Sequence, residues 1–309
     1  MASKRTVLIT GCSDGSLGSA LSLAFHKAGW RVFASARNPS KLKEVEAAGI
    51  ETVQLDTLSE ESIAGAVARV SELLTDDDDD DDDDDDNDGS LDVLVNNAGA
   101  GYSMPLLDVD VAKARHLFDL NVISPLMVTR AFLPLLRRSK TRGGGMVVNN
   151  TSCSGTTAGA QPFAGIYAAS KAAALNLTEV LRLELAPFDV RVVNLMTGSI
   201  KSTFHENTPD TTLPPDSIYN VAKETVEKSM SGADMYAVAT EAADWAEAVV
   251  RDLGRSSPPH WIWRGKLATV VRLAALLPIG WIDRIIRGMA GLDVVERKVK
   301  EQEKASKQG

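Results

Sequence analysis

The 309 residues contain only two cysteines, Cys12 and Cys153, too few for a disulfide framework. That count fits a reducing compartment. The four histidines are scattered, with no His-x-x-x-His or Cys-x-x-Cys spacing, so no metal site is expected. The opening MASKRTVLIT lacks the apolar core of a secretory leader, which makes a cytoplasmic protein the expectation. No long uninterrupted apolar run stands out either: the most apolar segment, 261–293, is broken by Arg272 and Pro278 and makes a poor bilayer span. An excess of basic charge is also missing, since the net charge is −9, and a nucleic-acid partner is not expected. That acidity is local. Twelve of the 42 acidic residues lie within 76–88, and setting them aside leaves the 33 basic residues facing 30 acidic ones.

What is present is an alternation of short β-rich runs with longer helical ones, the pattern of a parallel sheet covered on both faces by helices. Strands are predicted at 5–10, 30–37, 51–56, 91–99, 145–152 and 190–198. Helices are predicted at 19–29, 39–49, 59–74, 167–188 and 240–254, with one long or two adjoining helices over 110–139. The fold class is therefore α/β, a doubly wound parallel sheet in three layers. Residues 1–256 are expected to form the catalytic domain and 257–309 a C-terminal extension of amphipathic helices. The aspartate run sits in a loop entering a strand, at the sheet edge opposite a ligand site. Like charges so dense resist burial, so it reads as an insertion without a chemical role.

The first strand runs directly into TGCSDGSLG (10–18) and a helix. Glycines there permit positive φ and close backbone approach, and the helix N-terminus offers free N–H groups to a pyrophosphate. At the end of the second strand, where an NAD-binding fold usually carries an acid, stands Ser35-Ala36-Arg37. Arg37 can pair with a 2′-phosphate that a carboxylate would repel, so NADPH/NADP+ is favoured. In YAASK (167–171), Tyr167 and Lys171 are one helical turn apart and share a face. A free phenol has a pKa of about 10, and a neighbouring ammonium is expected to lower it, giving a general acid or base beside a carbonyl.

Taken together these motifs resemble the short-chain dehydrogenase/reductase family over residues 5 to about 254. TGCSDGSLG resembles the TGxxxGxG loop with one extra residue, which assigns cofactor contacts to Gly11, Ser13, Gly15, Leu17 and Gly18. Ser16, standing at a usual glycine, is tolerable if its φ is negative. Asp56 resembles the aspartate that contacts the adenine. NNAG (96–99) matches the segment lining the cofactor, with Asn97 nearest the ribose. Asn121 resembles the asparagine that anchors a catalytic water. TGSIKS (197–202) resembles PGxVxT beside the nicotinamide, with Thr197 replacing proline and with Ile200 and Ser202 in the contact positions. For the catalytic serine, GMVVNNTS (145–152) matches the register of GxIVNISS and points to Ser152, whereas the family's spacing to the tyrosine points to Ser154. A two-residue insertion in the loop 153–166 reconciles the two, and strand register is harder to alter than loop length, which favours Ser152.

The resemblance implies a ketoreductase in which Tyr167 donates the proton, Ser152 holds the carbonyl oxygen, and Lys171 lowers the phenol's pKa and holds the ribose. A non-catalytic nucleotide-binding scaffold would share the fold, but the intact Tyr167, Lys171 and Asn121 argue against it. The loop insertion and the long tail further resemble a fungal branch of 1-acyldihydroxyacetone-phosphate reductases that includes biosynthetic ketoreductases. That branch implies a lipophilic ketone as substrate, with Phe204, Met230, Met235 and Tyr236 of the segment 199–235 as candidate lining. Lipid synthesis at a membrane surface is the alternative setting. The family often dimerises through the helices here at 110–139 and 167–188, so a homo-oligomer is expected. The tail segment 261–293, with three tryptophans and scattered basic residues, reads as helices packed on the core or a partner subunit. A peripheral contact with a membrane or lipid droplet is the second reading.

Overall fold

A computed structural model describes residues 4–75, 89–204 and 212–308. The aspartate run and residues 205–211 of the candidate substrate segment lie outside the described residues. Seven strands form the sheet: β1 Thr6–Thr10, β2 Arg31–Ala36, β3 Glu51–Gln54, β4 Val93–Asn96, β5 Met146–Asn150, β6 Arg191–Thr197 and β7 Trp261–Arg264. The helices are α1 Leu17–Lys27, α2 Lys43–Ala47, α3 Glu60–Thr75, α4 Val111–Phe118, α5 Ser124–Leu136, α6 Gly165–Leu185, α7 Lys223–Ser231, α8 Ala233–Ala237, α9 Ala242–Leu253, α10 Ala268–Ala274, α11 Asp283–Met289 and α12 Leu292–Ser306.

The strands lie in the order β3-β2-β1-β4-β5-β6-β7, every neighbouring pair parallel. Strands buried on both faces need apolar residues at successive positions, and TVLIT is buried throughout. Val7 and Ile9 face a core shared with Phe25 of α1 and Trp245 and Val249 of α9. Leu8 faces the opposite core, with Val70 of α3 and Val128 and Phe132 of α5. The strand order reverses between β1 and β4, the switch point at which ligands bind at the carboxyl ends of open α/β sheets.

One expectation needs correcting and one is resolved between its alternatives. Residues 261–293 are not helical throughout: Trp261–Arg264 form β7, paired with β6 from Asn194↔Trp261 to Thr197↔Arg264, so the sheet continues past residue 256. Ile262 is buried in the sheet, and Arg264 ties β7 to α9 through Asp252 at 2.6 Å. The helical stretch predicted over 110–139 is two helices joined by a π turn at Asp119–Ile123, in the position of Asn121. Single π turns inside helices occur often at functional sites.

Candidate active site

The cofactor loop is built from its glycines. Gly11 (φ +73°) and Gly15 (φ +72°) take backbone conformations that L side chains rarely adopt. Gly18 opens the first turn of α1, where a Cβ would lie 2.4 Å from the Gly11 carbonyl oxygen and 2.8 Å from Asn97 Nδ2. Ser16 has φ −85°, so the departure from glycine carries no strain, and it caps α1 by accepting from Ser19 N–H at 3.1 Å. Its own hydroxyl donates to the Gly11 carbonyl at 3.0 Å. Ser13 closes the turn, its carbonyl accepting from Ser16 N–H at 2.9 Å, and Leu17 packs against the core. A loop this close-packed ahead of an eleven-residue helix fits the pyrophosphate of a dinucleotide.

Arg37 stands exposed at the carboxyl end of β2 and forms no ion pair among the described residues. Buried Ser35 donates to the Ile9 carbonyl at 2.9 Å. Asp56, half-buried just beyond β3, accepts from Leu58 N–H at 3.1 Å. Asn97, just past β4, donates through Nδ2 to the Thr10 and Gly11 carbonyls at 2.9 and 3.2 Å, joining NNAG to the cofactor loop. After β6, buried Ile200 forms a bridge to Thr240, and the Ser202 hydroxyl accepts from Phe204 N–H at 3.4 Å. Thr203 N–H donates to the Gly15 carbonyl at 3.1 Å, so this segment lies across the glycine loop.

Tyr167 and Lys171 lie on the first turns of α6, beside the end of β5. Ser152 lies beside the Tyr167 phenol; its hydroxyl donates to Ser154 Oγ, and Ser154 N–H donates back to Ser152 Oγ, both at 3.1 Å. Lys171 is buried; its Nζ donates to the Asn150 carbonyl at 3.0 Å and lies 5.9 Å from the Tyr167 ring centroid. Burial lowers the lysine to a pKa of about 8. The same cause raises Tyr167 to about 12, against a smaller lowering by the Ser152 hydrogen bond. The expected lowering of the phenol by Lys171 is therefore not met in this geometry. The cost of burying a phenolate outweighs an ammonium that is itself destabilised by burial.

Asn121 is buried within the π turn, and its side chain is committed: Oδ1 accepts from Ala100 N–H, while Nδ2 donates to the Ala100 carbonyl and Ser170 Oγ, each at 3.0 Å. A cavity of about 190 Å³ between α5 and α6 reaches Lys171 and Asn121. Its lining includes Asn96, whose Oδ1 is buried without a hydrogen-bond partner. Its walls are mostly apolar, but Asn96, Asn121 and Lys171 give it a polar end that suits ordered water.

The opposite side of Tyr167 is apolar. Phe204 sits 5.8 Å from its ring, and Met230 is buried in a cluster with Tyr102, Met104, Phe163 and Leu213, against which Tyr167 packs. Met235 is half-buried and Tyr236 exposed, so those two stand outside the cluster. Phe163 was not singled out from the sequence. It takes a left-handed φ of +67°, its ring meets Tyr219 edge-on at 5.5 Å, and its carbonyl accepts from Met104 N–H at 2.6 Å. Tail residues Ala290, Leu292 and Val295 pack on the same cluster, a contact no local sequence signal announces.

Proteins of known sequence and structure resemble this chain over most of its length. The short chain dehydrogenase family model matches residues 5–212. A short-chain dehydrogenase/reductase of Pestalotiopsis microspora is 45% identical over 304 residues, covering 97% of this chain and 99% of that protein. The NADPH-dependent 1-acyldihydroxyacetone phosphate reductase of Schizosaccharomyces pombe is 31% identical over 300 residues, covering 93% and 94% respectively. A short-chain dehydrogenase from Streptomyces avermitilis superposes with a TM-score of 0.71 at 26% identity, covering 100% of this chain and 99% of that one. With the glycine loop at the switch point and a Tyr–Lys pair at the carboxyl edge, the chain belongs to the short-chain dehydrogenase/reductase family, nicotinamide-dependent oxidoreductases that act on CH–OH and C=O groups.

Proposed function

We propose that the chain is an NADPH-dependent reductase that converts a lipophilic ketone to a secondary alcohol. The observation that carries this reading is the convergence of Ser152, Tyr167 and Lys171 between the cofactor loop's edge of the sheet and an apolar cluster. Gly11, Ser13, Gly15, Leu17 and Gly18 would hold the pyrophosphate, Arg37 the 2′-phosphate, Asp56 the adenine, and Asn97, Ile200 and Ser202 the nicotinamide half. When bound, the cofactor supplies the hydride that reduces the carbonyl carbon. Tyr167, whose phenol stays protonated through the neutral range, donates a proton to the carbonyl oxygen, and Ser152 orients that oxygen by hydrogen bonding. Lys171 fixes the ribose and passes protons to the phenol. Asn121, its side-chain amide committed to Ala100 and Ser170, positions the relay water from its place in the π turn. The cavity behind Lys171 supplies the route by which that water exchanges.

Proton transfer from a positioned acid contributes about 10²–10⁴ in rate. Tyr167→Phe is therefore expected to lower turnover of a panel of long-chain and aryl ketones by at least about a hundredfold while still binding NADPH. Normal turnover in that variant would sink the assignment.

A second reading, action on a lipid ketone at a membrane surface, is favoured by the outer face of the tail. Leu276 and Ile279 are 81% and 90% exposed, with Leu273, Trp281 and Ile285 exposed beside them and Arg272, Arg284 and Arg287 interspersed. Apolar side chains rimmed by cations suit the interface of an anionic bilayer. Co-sedimentation with phosphatidylserine-containing vesicles, lost in Ile279→Asp/Trp281→Asp, is the expected result. Unchanged partitioning would remove this reading and leave the ketone reductase intact.

A further inference from the structure

Two polar residues stand where the family pattern is apolar, and they are each other's partner. In GMVVNNTS, Asn150 occupies the isoleucine position of GxIVNISS; in TGSIKS, Thr197 occupies the proline position. The two are 47 residues apart in sequence, yet Thr197 Oγ1 donates to Asn150 Oδ1 at 2.6 Å across the ends of β5 and β6. Asn150 Nδ2 donates in turn to Asn97 Oδ1 at 2.9 Å. Asn97 Nδ2 donates to the Thr10 and Gly11 carbonyls. The direction of every bond in this chain is fixed. Carbonyls at one end require the Asn97 amide nitrogen, which turns Oδ1 toward Asn150, which turns the Asn150 oxygen toward a donor that only a hydroxyl at position 197 provides.

The main chains of the same two residues touch the groups that flank Tyr167. Lys171 Nζ donates to the Asn150 carbonyl at 3.0 Å, and the Ser152 hydroxyl reaches the Thr197 carbonyl at 3.4 Å. We propose that Asn150 and Thr197 form a positioning pair that locks the cofactor-facing Asn97, the lysine and the serine into one register across the carboxyl edge of β4, β5 and β6. The inference rests on the reading that Ser152, Tyr167 and Lys171 act on the carbonyl. An aliphatic residue at 150 would leave Asn97 Oδ1 without its donor, and a residue without a hydroxyl at 197 would leave Asn150 Oδ1 without one. Because both losses break the same chain, removing both partners should cost little more than removing one.

The test is a double-mutant cycle of Asn150→Leu and Thr197→Val, read as the dissociation constant for NADPH from nicotinamide fluorescence and, separately, as kcat on whichever panel ketone the parent reduces. Each single variant is expected to bind NADPH about tenfold more weakly, the scale of one unpaired buried hydrogen-bonding group. The double variant should be no weaker than the worse single. Thr197→Ser, which keeps the hydroxyl, should restore binding to within about twofold of the parent, a rescue that general loosening of the sheet would not give. Losses that multiply in the double variant, or a Thr197→Val protein that binds NADPH like the parent, would overturn the pair. Should Asn150→Leu fail to fold, the contrast between Thr197→Val and Thr197→Ser decides alone. Tyr167→Phe separates the two readings. Full turnover there removes the catalytic assignment, whereas lost turnover beside an additive cycle removes only the pair.

Discussion

Burial moves Lys171 and Tyr167 in opposite directions, one down to about 8 and the other up to about 12, and each shift has its own pH signature. An unfolded lysine keeps its proton up to about 10.5, so between pH 8 and 10.5 the unfolded state binds more protons and stability rises with pH. Tyr167 acts in reverse, its contribution being lost as pH climbs from 10 to 12. Urea unfolding across this range should show the rise in the parent and its absence in Lys171→Met. In reduction, where the ammonium is the active form, kcat/KM should decline as pH passes about 8. A flat profile to pH 10 would mean the lysine's charge is not needed. Arg37 makes the other prediction at this scale. Arg37→Glu should raise KM for NADPH by about tenfold or more, the worth of a charge-assisted hydrogen bond, while leaving KM for NADH little changed.

Among the elements, the turn between β1 and α1 leaves no room for a side chain at Gly18. Gly18→Ala would drive a methyl into the Gly11 carbonyl, so NADPH binding should fall sharply when followed by titration. Gly65, inside α3 with nothing near its would-be Cβ, is the contrast: Gly65→Ala should stabilise the fold by about 1 kcal/mol in denaturant unfolding. The central strands were legible because a strand buried on both faces is largely apolar, as TVLIT and RVVNLMT are, whereas ETVQ at the sheet edge, with only Val53 buried, was legible from its place in the alternation. β7 was not legible. WIWR is four residues long and opens an aromatic, basic stretch, so nothing local separates it from the helices that follow. The π turn at Asn121 leaves no periodic trace, since one extra residue barely disturbs a helical pattern. Tyr167 and Lys171 could be found from their spacing, but the raised phenol could not, because desolvation belongs to the packed site. The link between Thr197 and Asn150 likewise exists only once β5 and β6 are side by side.

At the scale of the molecule, the outer faces of α5 and α6 carry Leu126, Leu177, Val180 and Leu183 exposed to solvent. We expect these faces to pair two copies of the chain, and Val180→Glu/Leu183→Glu should shift the mass measured by light scattering to that of a monomer. An unchanged mass would place the interface elsewhere. The late position of β7 matters for how the protein is made. Among the described residues, the outer edge of β6, which leads into Ile200 and Ser202, pairs with Trp261–Arg264 alone. During translation, that edge stays open from the time β6 emerges until a further sixty or so residues have followed, by count along the sequence. For that interval its unpaired N–H and C=O groups are a template on which another nascent chain can pair. A ribosome that stops between the two strands releases a product with nearly every catalytic residue in place and a sheet that has not been closed.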